Sequence, residues 1–377
     1  MLFERISWAD KAPSASGRPQ RGVRGIFMSK KNQVTFGDIA SYTGFSKTTI
    51  SRFFNKPDTV TKDHQDRINE ALAALGYKKN KVAQILAKGK TEFVGVILPT
   101  LSLHYFSEML VRILNTYREY GYKFIVFTGS NHAEEEERYI NELLAYQIEG
   151  LIVMNHTLPS EKLAACNIPV VTIEREDQFV SSVNCDNYMG GVQAVSLLAK
   201  HNCDILIHLN SPAYTEIPAY RRRVGFIDFC EENHLPYSLI IKDIGSTYET
   251  MYLPVKEAFD QMETDYPDKI KGVFCSNDTT ANCLLNCIIR KYGTLPAQYR
   301  LVGFDNSPIA KEAIYTISTV GQQIDVIARE AVSLLAEKIS MKRNGDPDAG
   351  TPVHKVITPV LYRRETTEGV SPERKSP

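Results

Sequence analysis

The run Ser46-Lys47-Thr48-Thr49-Ile50-Ser51-Arg52, with Asn55 one turn on, places cations and hydroxyls at helical spacing behind a Gly44-Phe45 turn. Lysine and arginine so placed can pair with phosphates or guanine edges, and a threonine methyl can touch the thymine methyl. That is chemistry for reading duplex DNA from a helix in the major groove. No comparable set for a reaction stands out, since no nucleophile has a spaced base. Cys283 and Cys287 lie one helical turn apart but lack a flanking His or further Cys, so no metal site is expected.

The elements that must position this surface are legible nearby. Ile39 and Ala40 before the turn, and Phe45, Ile50 and Phe53 after it, can bury one common face and lock two helices at a fixed angle. Thr35 and Ser46 stand where a side-chain oxygen can accept the unpaired N–H groups of each helix start. Gly44 suits a left-handed turn backbone, which a Cβ disfavours. A third helix, capped by Thr61, is expected to run to Leu75-Gly76. The three together read as a helix-turn-helix.

Charge is divided along the chain. Lys+Arg and Asp+Glu number 44 each, yet residues 28–90 hold 12 cations against 5 anions, and residues from 91 onward hold 27 against 37. A head of net +7 on a body of net −10 is the footprint of a phosphate-binding module on an acidic sensing domain. No apolar run approaches the roughly 20 residues that a membrane span needs. The first 27 residues are rich in Arg, Ser, Pro and Gly and lack the apolar core of a signal peptide. Met28 reads as a natural start, and seven cysteines without paired spacing suit the cytoplasm.

From residue 92 strands and helices alternate. Short apolar runs at 93–98, 124–127, 150–154 and 169–173 read as strands, with amphipathic helices at 108–120 and 134–146. A second series has strands at 205–209, 239–241, 272–275 and 301–304, and helices at 220–233, near 253–262 and up to Tyr292. Two such series predict two Rossmann-like parallel sheets with a ligand cleft at the strands' carboxyl ends. No GxGxxG follows the first strand, so no dinucleotide cofactor is expected. His104 and His208 read as packing or surface groups.

From Val34 onward the chain resembles the lactose-repressor (LacI/GalR) family of bacterial transcription regulators. The likeness is carried by Val34-Thr35, Asp38-Ile39-Ala40, Gly44-Phe45-Ser46, Thr49-Ile50-Ser51-Arg52, Asn55, Val60, Leu75-Gly76-Tyr77, Asn80 and Val82-Ala83. It implies a DNA-binding set of Thr35, Ser46, Lys47, Thr48, Thr49, Ser51, Arg52, Asn55, Asn80, Val82, Ala83 and Leu86. Residues 80–87 would form a hinge helix that orders on operator DNA. Leu86 would enter the minor groove as a kinking wedge, unstacking a step in exchange for contacts with bent DNA. Lys79 stands where the family often has proline. The resemblance also implies a core like a periplasmic sugar-binding protein, with Arg222, Asn277, Asp305, Glu174, Gln322 and Tyr105 or Phe106 around the effector. Carboxylate, amide and guanidinium groups of this kind suit a polyhydroxylated ligand.

The expected organisation is a disordered extension at 1–30, a helix-turn-helix domain at 31–78, and a hinge helix and linker at 79–90. A two-lobed effector-binding and dimerisation domain at 91–364 and a flexible tail at 365–377 complete it. The fold class is thus a small all-α head plus an α/β two-lobed core. The expected function is a homodimeric, non-enzymatic repressor on double-stranded operator DNA, without cofactor or membrane partner, answering to a sugar or sugar phosphate. A nucleobase, a nucleoside or a co-regulator protein as the signal, and a plain sugar-binding protein, are the alternatives. The tail lacks heptad leucines, so no tetramerising coiled coil is expected.

Overall fold

The computed structural model describes residues 34–77, 90–129, 132–212 and 217–369. The expected extension at 1–30, the hinge residues Asn80, Val82, Ala83 and Leu86, and the end of the tail lie outside them. The chain divides into two compact units, Met1–Lys88 and Gly89–Pro377.

In the first unit, α1 (Phe36–Thr43), α2 (Lys47–Asn55) and α3 (Lys62–Leu75) enclose a small core. Thr35 and Asp38 form a reciprocal capping box, and Ser46 Oγ accepts Thr49 N–H at 3.1 Å. Gly44 adopts φ 76° and its N–H closes α1 on the Ala40 carbonyl at 2.9 Å. Ile39, Ile50, Ile68 and Ala71 are fully buried, with Phe45, Phe53 and Leu75 packed around them. Thr61 occupies the cap position of α3, but its side chain makes no capping bond. The approach to α3 is held instead by Gln65, whose amide donates to the carbonyls of Pro57 and Val60 at 3.0 and 2.9 Å.

The second unit contains two six-stranded sheets. The first orders β1 (Phe93–Leu98), β2 (Lys123–Thr128), β3 (Gly150–Val153), β4 (Val170–Ile173), β5 (Ser181–Cys185) and β11 (His354–Ile357) as β11-β5-β4-β3-β1-β2. The second contains β6 (Ile205–Asn210), β7 (Tyr237–Ile241), β8 (Lys271–Cys275), β9 (Tyr299–Asp305), β10 (Ser318–Gly321) and β12 (Val360–Tyr362), ordered β12-β10-β9-β8-β6-β7. All pairings are parallel except β10 with β12. The central strands β1, β3, β4 and β9 are buried nearly end to end, as strands covered on both faces must be.

The chain passes between the sheets three times: after β5 into the helix Asn187–Lys200, after β10 into the helix Ile324–Arg343, and between β11 and β12. Three crossovers of a few residues each are the geometry of a hinge between lobes. Several left-handed non-glycine residues stand near these passages or at strand ends: Glu174 (φ 56°), Asp305 (φ 105°), Asn306 (φ 53°) and Gln323 (φ 57°). Such backbone costs of order 1–3 kcal/mol per residue and collects at functional sites.

Several elements escape the apolar-run reading. Strand β5 is polar in composition yet buried, because its side chains pair internally: Ser182 Oγ meets His354 Nδ1 at 2.9 Å, and Asn184 donates to Glu176 at 3.0 Å. The flexible tail expected from residue 365 is corrected at its start. Glu365–Glu368 form a helical turn in which the Glu365 carboxylate accepts Thr316 N–H at 2.7 Å. Buried Thr366 donates to the Leu301 carbonyl at 2.8 Å and accepts Ser318 N–H at 2.8 Å. Among the described residues no helix is long and apolar enough to cross a membrane.

Candidate functional site

On the head, Lys47, Thr48 and Arg52 of α2 are exposed, while Ile50 of the same helix is buried. Thr35 and Ser46 commit their oxygens to the caps, and Ser46 Oγ also lies 2.9 Å from Thr49 Oγ1. These three therefore set where the helices begin. Asn55 Nδ2 donates to Ser51 Oγ at 3.2 Å, tying the end of α2 to its exposed face. The geometry thus presents two cations and a free-standing threonine on one helix surface.

In the second unit the carboxyl ends of the strands bring Glu174, Arg222, Asp305 and Gln322 together. Arg222, on the helix Tyr220–Glu232, is 8% exposed, whereas its neighbour Arg221 is exposed. Its Nε donates to Asn187 Oδ1 at 2.7 Å and its Nη1 to the Ser276 carbonyl at 2.9 Å. Its Nη2 stands 3.6 Å from Glu174 Oε2 of the first lobe, and its Nη1 stands 4.0 Å from Asp305 Oδ1 of the second. The guanidinium lies 3.7 Å above the Phe304 ring, an orientation that cation–π attraction favours.

Each carboxylate is held in turn. Glu174 accepts Cys185 N–H at 2.8 Å and Asn187 Nδ2 at 2.9 Å. Asp305 accepts Gln322 Nε2 at 2.6 Å, while Gln322 Oε1 is buried without a partner. The Tyr105 hydroxyl, from the first lobe, is likewise buried and unpaired. Burial raises its pKa, and the charges of Glu174 and Asp305 raise it further. Phe106 packs edge-on against Tyr105 at 5.2 Å and leans on the apolar core, and of this pair it is the buried Tyr105 that feels the charges of Glu174 and Asp305.

The expected contact Asn277 sits differently. It caps the helix Asp278–Tyr292, its Oδ1 accepting Thr280 N–H at 2.8 Å. Its neighbour Asp278 is the fully buried member, accepting Ser307 N–H at 2.8 Å. The residue types alone pointed to neither Asn187, Ser276 nor Phe304. Asn187 follows the Asp186 helix cap, a signal of helix start that carries no hint of Arg222.

His104 bridges the lobes, its Nδ1 lying 3.1 Å from Thr279 Oγ1. His208 is a packing group: it stacks on Phe274 and Phe226, and burial lowers its pKa to about 4. Beside the cleft centre, a cavity of about 370 Å³ opens between the ends of β3 and β4 and Ile217 of the other lobe. Arg175 lines it but gives its Nη atoms to the carbonyls of Asn155 and Leu158 at 3.0 and 2.5 Å. No cluster of metal-ligating side chains occurs among the described residues.

A three-helix DNA-reading unit joined to a two-lobed parallel α/β core with a polar cleft is the plan of a ligand-coupled regulator. Residues 35–80 match the family model "Bacterial regulatory proteins, lacI family" and residues 195–367 match "Periplasmic binding protein-like domain". The chain thus carries a lacI-family helix-turn-helix domain together with a periplasmic-binding-protein-like domain. It is similar to the sucrose operon repressor of Streptococcus mutans, 26% identical over 80% of this chain and 92% of that one. It is similar also to the ribose operon repressor of Halalkalibacterium halodurans, 24% identical over 89% and 97%. The fold resembles the lac repressor dimer bound to operator and an anti-inducer, with a TM-score of 0.74 and 20% identity, covering 89% of this chain and 99% of that one.

The cleft carries a pH signature. Burial raises Asp278 to about 8, helped by the charge of Asp305, and raises Asp305 to about 7 against the opposing pull of Arg222. A carboxyl whose folded pKa exceeds its unfolded value binds more protons when folded, so stability falls as pH rises toward the folded pKa. The pair's contribution is full below about pH 4 and is lost as pH climbs through about 7 to 8. Asp278→Asn keeps an acceptor for Ser307 but removes the titration. Its melting temperature is expected to lose most of the wild-type decline between pH 5 and 8, as read by calorimetry; parallel curves for the two proteins would refute the assignment.

Proposed function

We propose that this chain is a cytoplasmic, homodimeric repressor of a carbohydrate-utilisation operon, whose operator affinity is set by a small hydroxyl-rich molecule held between the two core lobes. One observation carries the reading: buried Arg222 lies between Glu174 of one lobe and Asp305 of the other, beside the short crossovers that join them. A ligand that satisfies Tyr105 and Gln322 at this point stabilises one setting of the lobes. The resulting change in DNA affinity equals its differential affinity for the two settings. The names of the relatives, repressors of sucrose and ribose operons, support a sugar as that molecule.

Exposed apolar side chains support the dimer. Val111, Leu114 and Tyr117 in the first lobe and Tyr248 and Leu253 in the second are 41–62% exposed. Apolar surface of this kind marks association, and a two-fold dimer sets two heads on a pseudo-palindromic site. Lys47 and Thr48 are proposed to choose bases, Arg52 to meet a guanine, and Leu86 to kink the centre. Thr49, Ser51, Asn55, Asn80, Val82 and Ala83 are proposed to support these contacts.

Gel-shift titration of the DNA upstream of the chain's own gene, with and without sucrose, ribose and related sugars, tests the proposal. A sequence-specific shift that sugar alters is expected; equal affinity for unrelated DNA fragments at moderate salt would reject it. Leu86→Ala should weaken specific operator binding about tenfold or more, since the contacts that the kinked DNA allows must exceed the few kcal/mol that unstacking a step costs. Ligand titration should be unchanged, and a parallel loss of ligand binding would argue against the wedge role.

A further inference from the structure

The cleft has an electrostatic bias that restricts its ligand. Its centre holds one cation, Arg222, between Glu174 and Asp305. Arg222 is also already spent on Asn187 Oδ1 and the Ser276 carbonyl. The adjoining cavity holds Arg175 against Glu161, Glu176 and Asp177, and Arg175 is engaged by two carbonyls and by Asp177 at 3.7 Å. His156 there has its pKa lowered by burial to about 4, so it brings no cation. On the other side of Asp305, a second cavity of about 350 Å³ sets Arg112 and Lys311 against Glu108, Glu312 and Asp325. Glu108 already pairs with Arg112 at 2.6 Å.

The atoms that lack partners point the same way. Gln322 Oε1 is an acceptor, the Tyr105 hydroxyl can donate or accept, and both residues are at least nine-tenths buried at the carboxylates. Carboxylates and an amide oxygen call for hydrogen-bond donors. A phosphate or carboxylate brings only acceptors and a charge, and a buried charge without a cation of its own is strongly disfavoured.

We infer that the effector of this chain is an uncharged or cationic, donor-rich molecule such as a free sugar or amino sugar, and that phosphate esters and sugar acids are rejected. This rests on the proposed effector cleft and narrows it.

Full-length protein tests this by thermal shift and calorimetric titration against matched sets. These are sucrose with sucrose 6-phosphate, fructose with fructose 6-phosphate, ribose with ribose 5-phosphate, glucose with glucosamine and gluconate, and inorganic phosphate alone. A neutral or amino compound is expected to bind, with its phosphorylated or acidic partner about 100-fold weaker, which is two factors of ten in Kd. A phosphate ester or acid that binds as tightly as its neutral partner overturns the inference and leaves the effector cleft standing. Failure of every compound to bind overturns the cleft reading and the inference with it.

Discussion

Arg222→Ala is expected to abolish the ligand response while leaving operator affinity without ligand within about threefold of wild type. The side chain is the only cation among the described residues at the cleft centre, and it links acceptors from several elements. Removing one partner of a buried pair costs about 3–5 kcal/mol, because the remaining charges lose their compensation. Part of that is recovered by protonation, since Asp305 already has a raised pKa, which Arg222 and then Gln322 hold down. The variant should therefore melt well below wild type at pH 8, and the gap should narrow at pH 5. A loss of this size lies within the roughly 5–15 kcal/mol that native domains carry, and circular dichroism at room temperature checks that the variant is folded before titration. Arg222→Lys should not restore the response, because an ammonium lacks the planar fork that reaches Asn187 and Ser276 together. Calorimetric titration with sugar and operator anisotropy on the same sample provide the check. An unaltered ligand titration would remove Arg222 from the site.

Ile50→Ala is the second large effect, and it acts on the other unit. Ile50 is fully buried among Ile39, Ile68 and Ala71 in a core of few residues. Truncating a buried isoleucine to alanine costs about 2–5 kcal/mol, and a single core of this size rarely supplies more than about 3–5 kcal/mol. Most heads should then be unfolded before they meet DNA. Apparent affinity falls by the fraction that is competent, so operator binding is expected to weaken by at least about tenfold. Melting of the core and its ligand titration should match wild type. Retained operator affinity together with an unshifted head transition in hydrogen exchange would contradict this account.

The two units differ in how far residues alone reveal them. The head is written in local signals: Thr35 and Ser46 at helix starts, Gly44 at the turn, apolar residues at helical spacing. Each acts over three or four positions, and each forms as expected except the Thr61 cap. In the core, strands such as β1 and β8 are apolar runs and were legible. The strand Ser181–Cys185 was not, because its polar side chains find partners in β11 and near β4. The helix Ile324–Arg343 and the turn at Glu365–Glu368 were missed as well. The turn is held by hydrogen bonds to Thr316, Ser318 and Leu301, about fifty or more positions away.

The same division holds at the cleft. Among Arg221, Arg222 and Arg223, successive residues on a helix point about 100° apart. The fold turns Arg222 inward and leaves Arg221 exposed. Resemblance singled out Arg222 and Asn277, and only the fold shows that Asn277 caps a helix while its neighbour Asp278 is fully buried. What the residues by themselves determined is what neighbouring positions can settle: a cationic helix-turn-helix, two runs of alternating strands and helices, and a resemblance to the lacI family. What only the tertiary structure decided is the charge balance around Arg222. Glu174, Asn187, Asp305 and Gln322 are far apart in the chain. The raised pKa of Asp305, the unpaired Gln322 oxygen and the proposed preference for an uncharged ligand arise from burial, and burial exists only once the two lobes have brought these residues together.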